Sequence, residues 1–287
     1  MGIVNTKEPY NSTRLEQDLV ALSKRYHLQI NRIGYSHLCK PIYEIQLGNG
    51  PKKVHLNASF HANEWITSLV LMKWLEQFLD GYFPKVNLTE CTISIVPMVN
   101  PDGVDLVTGH PIPKAWQDYC QIINHGSNDF SDWKANIRGV DLNNQYPSNW
   151  AIEKARKKPK NYAPRDFPGI APLTEPEAIA MARLVEVKKF DRVFAFHTQG
   201  KEIYWGYENC HPYEESKRIV DELAKSSGYK AVEIIDSHAG FKDWFIYICK
   251  KPGFTIELGY GVNPLPLEQF DEIYENTHDM IAGAIYL

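Results

Sequence analysis

Three short apolar runs constrain the fold of this chain more than any other feature. They are KVHLNASF (53–60), DRVFAFHT (191–198) and PGFTIELG (252–259). The last two hold stretches without polar alternation, VFAF in one and GFTI in the other, as strands do when both faces are covered. PIYEIQLG (41–48) alternates like a strand, and CTISIVPMVN (91–100) is a β-rich run stopped by NPDG. Helical spacing marks STRLEQDLVALSKRY (12–26), with Ser12 or Thr13 as cap, and a stretch from about Glu64 to Leu79. It also marks TEPEAIAMARLVEVKK (174–189), PYEESKRIVDELAKSSG (212–228) and PLEQFDEIYENTHDMIAGAIYL (266–287). Apolar strands alternating with helices predict an α/β fold, a sheet covered by helices on both sides. Residues 109–172 break the alternation. They are polar, proline-rich and aromatic, and irregular segments of that length usually carry function.

Composition removes several classes. A hydrophobic fraction of 44% in 287 residues is that of a globular protein rather than a disordered one. The net charge of −4, with basic residues scattered, argues against a nucleic-acid partner. Five cysteines (Cys39, Cys91, Cys120, Cys210, Cys249) are an odd number without close metal-type spacing, which predicts free thiols in a reducing compartment. The N-terminus lacks a basic start followed by an apolar stretch, so a cytoplasmic location is expected. The apolar-leaning run Ile66 to Leu79 contains Lys73, Glu76 and Gln77 and is too short to span a bilayer, so no membrane partner is expected.

The three runs end alike. His61 and Glu64 follow the first, His197 closes the second, and Glu257 closes the third. In an open α/β sheet, ligand chemistry collects at the carboxyl ends of strands. Two imidazoles and one carboxylate form a ligand set for a catalytic zinc with an open position. Glu257 is then the extra carboxylate needed as general base. Each element has a plainer reading: His61 and Glu64 as a helix surface pair, and His197 as a core histidine bonded to backbone. Glu257, beside Phe254, Thr255, Ile256 and Leu258, would be costly to bury without a partner.

HANEW (61–65), VNPDG (99–103), NIRGVDLNNQYP (136–147), FHTQG (196–200), DWF (243–245) and TIELG (255–259) occur in the order seen in zinc carboxypeptidases of the carboxypeptidase A type. Over roughly residues 34–287 the chain resembles that family. The resemblance implies a single domain with a mixed, roughly eight-stranded sheet between helices. Residues 1–287 are expected to form one catalytic domain, with residues 1–33 as an N-terminal helix packed on it and no wall-binding repeats. It further implies one zinc on His61, Glu64 and His197, with Glu257 as base. Arg138 would polarise the scissile carbonyl, Asp141 would orient the first zinc histidine, and Asn143 would bind substrate. Arg138 as a turn residue before Gly139, and Asp141 as a turn or cap residue, are the structural alternatives.

Two positions depart from the peptidase pattern. Family carboxypeptidases usually carry Asn-Arg at 143–144, and that arginine grips the terminal carboxylate. Here the second residue is Asn144, which cannot replace a bidentate guanidinium. Lys242 stands at the base of the family's specificity pocket, where it favours an acidic group on the leaving side; a lysine reaching out of a loop is the alternative. GVDLNNQYP with AGFKDW is most similar to a branch of the family acting on bacterial cell-wall peptides, at the γ-D-glutamyl–diaminopimelate bond. A muropeptide or small peptide is therefore the expected substrate. Cell-wall association is expected only if a binding module has been removed from the chain. The competing readings are a metallocarboxypeptidase removing C-terminal residues, and an inactive peptide-binding relative.

Overall fold

The computed structural model describes residues 2–287. The first half of the chain supplies α1 (Ser12–Tyr26), β1 (Gln29–Tyr35), β2 (Pro41–Leu47), β3 (Lys52–Ala58), α2 (Ile66–Leu79), β4 (Cys91–Val96), α3 (Pro101–Val107) and α4 (Lys114–Ile123). The second supplies α5 (Trp150–Arg156), α6 (Pro176–Lys188), β5 (Arg192–Thr198), β6 (Glu202–Tyr204), α7 (Tyr213–Ser227), β7 (Lys230–Val232), α8 (Phe241–Cys249), β8 (Gly253–Leu258) and α9 (Phe270–Tyr286).

The eight strands form one mixed sheet in the order β1-β2-β4-β3-β5-β8-β6-β7. The central four, β4, β3, β5 and β8, run parallel, and antiparallel strands flank them on both sides. From β3 the chain builds outward to β4 on one side and later to β5 on the other. Such a reversal opens a crevice at the carboxyl ends of the strands. Apolar side chains of α1, α2, α7 and α9 pack on one face, and those of α6 and α8 on the other. This two-sided cover is what the continuously apolar strands require.

Local chemistry moves some boundaries. Asn11, rather than Ser12 or Thr13, caps α1 by accepting the Arg14 amide at 3.0 Å; Ser12 Oγ donates to Asp105 instead. NPDG does more than stop β4: Asn100 caps α3 and Pro101 takes its first position, where the missing N–H costs nothing. The region 109–172 holds α4, α5 and long turns. All five cysteines are free thiols, as expected. Among the described residues, no helix is long and apolar enough to cross a membrane.

Candidate metal centre

The end of β3 is folded back on itself. Ser59 adopts φ 50° and its amide donates to Thr67 Oγ1 at 3.0 Å, while Thr67 Oγ1 donates to the Glu64 carbonyl at 2.7 Å. The result is a tight 3-10 turn over Ala62–Glu64 that turns His61 and Glu64 to the same side. The Ala62 amide donates to the Lys134 carbonyl at 3.0 Å, which ties this turn to the irregular region. His197 arrives on β5, and Glu257 is its partner across the β5–β8 ladder.

Three buried side chains converge here. His61 Nδ1 lies 2.8 Å from Glu64 Oε1, His197 Nδ1 lies 2.9 Å from Glu64 Oε2, and the two Nδ1 atoms are 3.1 Å apart. His61 Nε2 is 3.2 Å from Asp141 Oδ1. If that nitrogen carries the proton, Nδ1 of a neutral His61 presents a bare lone pair to a carboxylate oxygen and a second imidazole. Lone pairs facing one another are satisfied by a cation between them. Two imidazoles and a carboxylate are a zinc donor set, so the residues fit the ion. The pairing has an electrostatic signature. Burial alone would raise the Glu64 carboxyl, but the two histidines hold it well below the usual range. Burial would lower His197, yet the charge of Glu64 raises it.

Asp141 serves two partners. Oδ1 faces His61 and accepts the Asn143 amide at 3.0 Å; Oδ2 pairs with Lys134 Nζ at 3.2 Å. Its carboxyl is held far below the usual range against the penalty of burial, by Lys134 first and His61 second. Lys134 was not singled out in the sequence, yet it is the ammonium at this site. Burial opposes its charge, but Asp141, Glu64 and Asp166 keep it protonated, raising its pKa. Glu257 sits within electrostatic reach of His197, Glu64 and Lys134 without a hydrogen bond to any of them. Burial pushes its carboxyl upward; His197 opposes this and Glu64 adds to it.

Arg138 is the exception among the expected residues. Its guanidinium donates to Tyr162 Oη at 2.6 Å and lies 3.6 Å from Glu175, beside a cavity of about 360 Å³ lined by Ala115, Trp116, Tyr119 and Tyr162. None of its partners belongs to the metal cluster. The cause is the reversal at Gly139, with φ 81°: the Gly139 amide donates to the Asn136 carbonyl and the Asn136 amide to the Val140 carbonyl. Lys134 and Arg138 leave this turn toward different partners. In the sequence, WKAN does not single Lys134 out, because its partners Asp141 and Asp166 lie further along the chain.

The remaining positions cluster behind Asp141. Asn143 Oδ1 accepts the Phe241 amide at 2.9 Å at the start of α8, and Asn144 is buried with its amide on the Asp141 carbonyl. Lys242 is not the lone pocket charge expected of it. It is 5% exposed, its Nζ lies 2.5 Å from Asp243 Oδ1, and it donates to the Gly206 carbonyl at 2.7 Å. Asp243 follows it directly on α8, so neutralisation is built into the local sequence. A Cβ at Gly240 would meet both Asp243 Oδ2 at 2.9 Å and Asn143 Oδ1 at 3.4 Å, so glycine lets these groups approach.

Comparison with known proteins agrees with this geometry. The zinc carboxypeptidase family model matches residues 15–279, and the chain belongs to that family. It is a zinc-dependent peptidase, a hydrolase. It is 46% identical over 296 residues to gamma-D-glutamyl-L-diamino acid endopeptidase 1 of Lysinibacillus sphaericus, covering 99% of this chain and 74% of that one. It is 45% identical over 298 residues to YqgT of Bacillus subtilis (strain 168), covering 99% and 79%. Among solved structures, thrombin activatable fibrinolysis inhibitor superposes with a TM-score of 0.76 at 18% identity, covering 98% of this chain and 74% of that one. Murein-tripeptide amidase MpaA from Escherichia coli O157 superposes with a TM-score of 0.58 at 18% identity, covering 90% and 92%.

Proposed function

We propose that this protein is a zinc endopeptidase cutting the amide between the side-chain carboxyl of D-glutamate and an amine of diaminopimelate in bacterial cell-wall peptides. The observation that carries the reading is the 46% identity to the Lysinibacillus endopeptidase across 99% of this chain. Asn144, where carboxypeptidases hold a terminal-carboxylate arginine, points the same way.

His61, Glu64 and His197 would hold one zinc, which when bound supplies Lewis-acid activation of the water and the carbonyl. Glu257 takes the proton of the attacking water and returns it to the leaving amine. Lys134, kept charged by Asp141, faces the oxygen on which negative charge develops. Asp141 fixes both His61 and Lys134, so one carboxylate sets the distance between them. Asn143 braces the start of α8, and Asn144 adds a neutral amide beside it. On the leaving side, Lys242 and Asp243 offer a buried plus–minus pair. The far end of diaminopimelate carries a carboxylate and an ammonium, which match it charge for charge.

The test is incubation with L-Ala-γ-D-Glu-meso-diaminopimelate-D-Ala and identification of products by mass. The reading expects L-Ala-D-Glu and diaminopimelyl-D-Ala. Release of free D-Ala with the rest intact would make it a carboxypeptidase instead.

A further inference from the structure

The turn at residues 36–39, between β1 and β2, is walled by carboxylates that the reaction does not use. Glu177 Oε1 accepts the His37 amide at 3.3 Å, and Asp102 Oδ2 accepts the next amide, that of Leu38, at 2.8 Å. Glu175 Oε2 lies 2.8 Å from His37 Nε2. Asp102, Glu175 and Glu177 are at most 1% exposed. One donor atom from each of His37, Glu175 and Glu177 lies within 4.8 Å of the other two. Asp102 Oδ1 is buried with no hydrogen-bond partner.

Three carboxylates in a low-dielectric pocket cannot all ionise without compensating charge. The cations at hand fall short. Arg138 reaches Glu175 alone, at 3.6 Å; His37, if protonated, offers one positive charge to Glu175 and Glu177; Lys40 pairs with Asp105 and acts on Asp102 only from a distance. One imidazole with carboxylates suits a borderline divalent transition ion.

We infer that His37, Glu175 and Glu177, with the Asp102 carboxyl nearby, form a second divalent-cation site that takes manganese. Binding replaces the His37–Glu175 hydrogen bond and releases the shared proton. The site also reaches the catalytic turn. Asn136 Nδ2 donates to Glu175 at 2.8 Å and to Glu177 at 3.4 Å, while its Oδ1 accepts the Arg138 and Val140 amides. An ion here braces the segment that carries Lys134 and Asp141.

The experiment equilibrates the zinc-loaded protein with Mn2+ at pH 8, desalts it and measures both metals, with a parallel Mn2+ titration followed by electron paramagnetic resonance. Native protein is expected to retain one more equivalent of manganese than His37→Asn, with equal zinc in the two. Mn2+ should raise Tm in the native protein and not in the variant. Glu177→Gln provides a second comparison should His37→Asn fold poorly. Equal manganese in all three proteins overturns the inference. Absence of uptake by native protein overturns it too, and a rise in Tm for Glu177→Gln at pH 8 would then identify a proton as the balancing charge.

Discussion

At the residue scale, the proposed mechanism divides its work between Glu257 as base and Lys134 as oxyanion donor. Glu257→Gln keeps the shape and removes the basicity. Zinc content should stay at the native level while kcat falls by roughly a hundredfold or more. Lys134→Met should lower kcat by about a hundredfold, with KM changed little, since an oxyanion donor acts on the transition state and removing one costs about 3 kcal/mol. Lys134→Arg should keep much more activity, and Arg138→Ala should be close to native. If Arg138→Ala lost as much as Lys134→Met, the two cations would have to exchange roles. Lys242→Met strands Asp243 in the interior, which typically costs about 3–5 kcal/mol, so a large fall in Tm is expected. Lys242→Met with Asp243→Asn should recover most of it in a thermal melt. His61, Glu64 and His197, which the fold brings together, could be picked out because they stand at or just beyond the ends of apolar runs, as does Glu257. Lys134 and the Lys242–Asp243 pair could not, because what defines them is partners distant in sequence or a charge cancelled by the next residue.

At the element scale, the sequence marked the central strands and the long helices, where periodicity is sustained. It left out β1, β6, β7 and the short helices α3, α4, α5 and α8. Residues 29–35 alternate poorly and are mostly half-exposed, β6 and β7 have three residues each, and α8 is a short helix buried along one side. Such elements exist because neighbours complete them rather than through their own pattern. The turn at Gly139 illustrates how an element can govern the site. A Cβ there would lie 2.7 Å from Ile123 Cδ1 and 2.9 Å from the Ala163 amide, at a φ that disfavours side chains. Gly139→Ala should lower stability by about 1–3 kcal/mol by urea denaturation and depress kcat through Lys134 and Asp141. Helix α1 adds a pH dependence. Asp18 accepts a hydrogen bond from Tyr10 at 2.8 Å, and burial pushes its carboxyl from 3.8 to about 6. The folded state therefore holds a proton that the unfolded chain has lost. Its contribution is complete below pH 3.8 and disappears as pH rises through about 6. Asp18→Asn should flatten that part of the stability profile, by about 2 kcal/mol after allowance for partial exposure.

At the scale of the whole molecule, the metal cluster joins segments that are far apart in the chain. His61 and Glu64 follow β3, His197 lies on β5, and Asp141 reaches them from the irregular region. Binding an ion to such a set stabilises the folded state, because the unfolded chain does not hold the ligands together. Treatment with a chelator should abolish hydrolysis and lower Tm. One equivalent of zinc should restore the activity, with the return saturating at that point. His197→Ala removes one of the three donors. It should neither retain zinc through desalting nor recover activity on zinc addition, while its circular dichroism stays native. Native-like zinc retention by His197→Ala would mean that the ion sits elsewhere. Full activity of the chelated native protein would mean that Glu257 and Lys134 work without it.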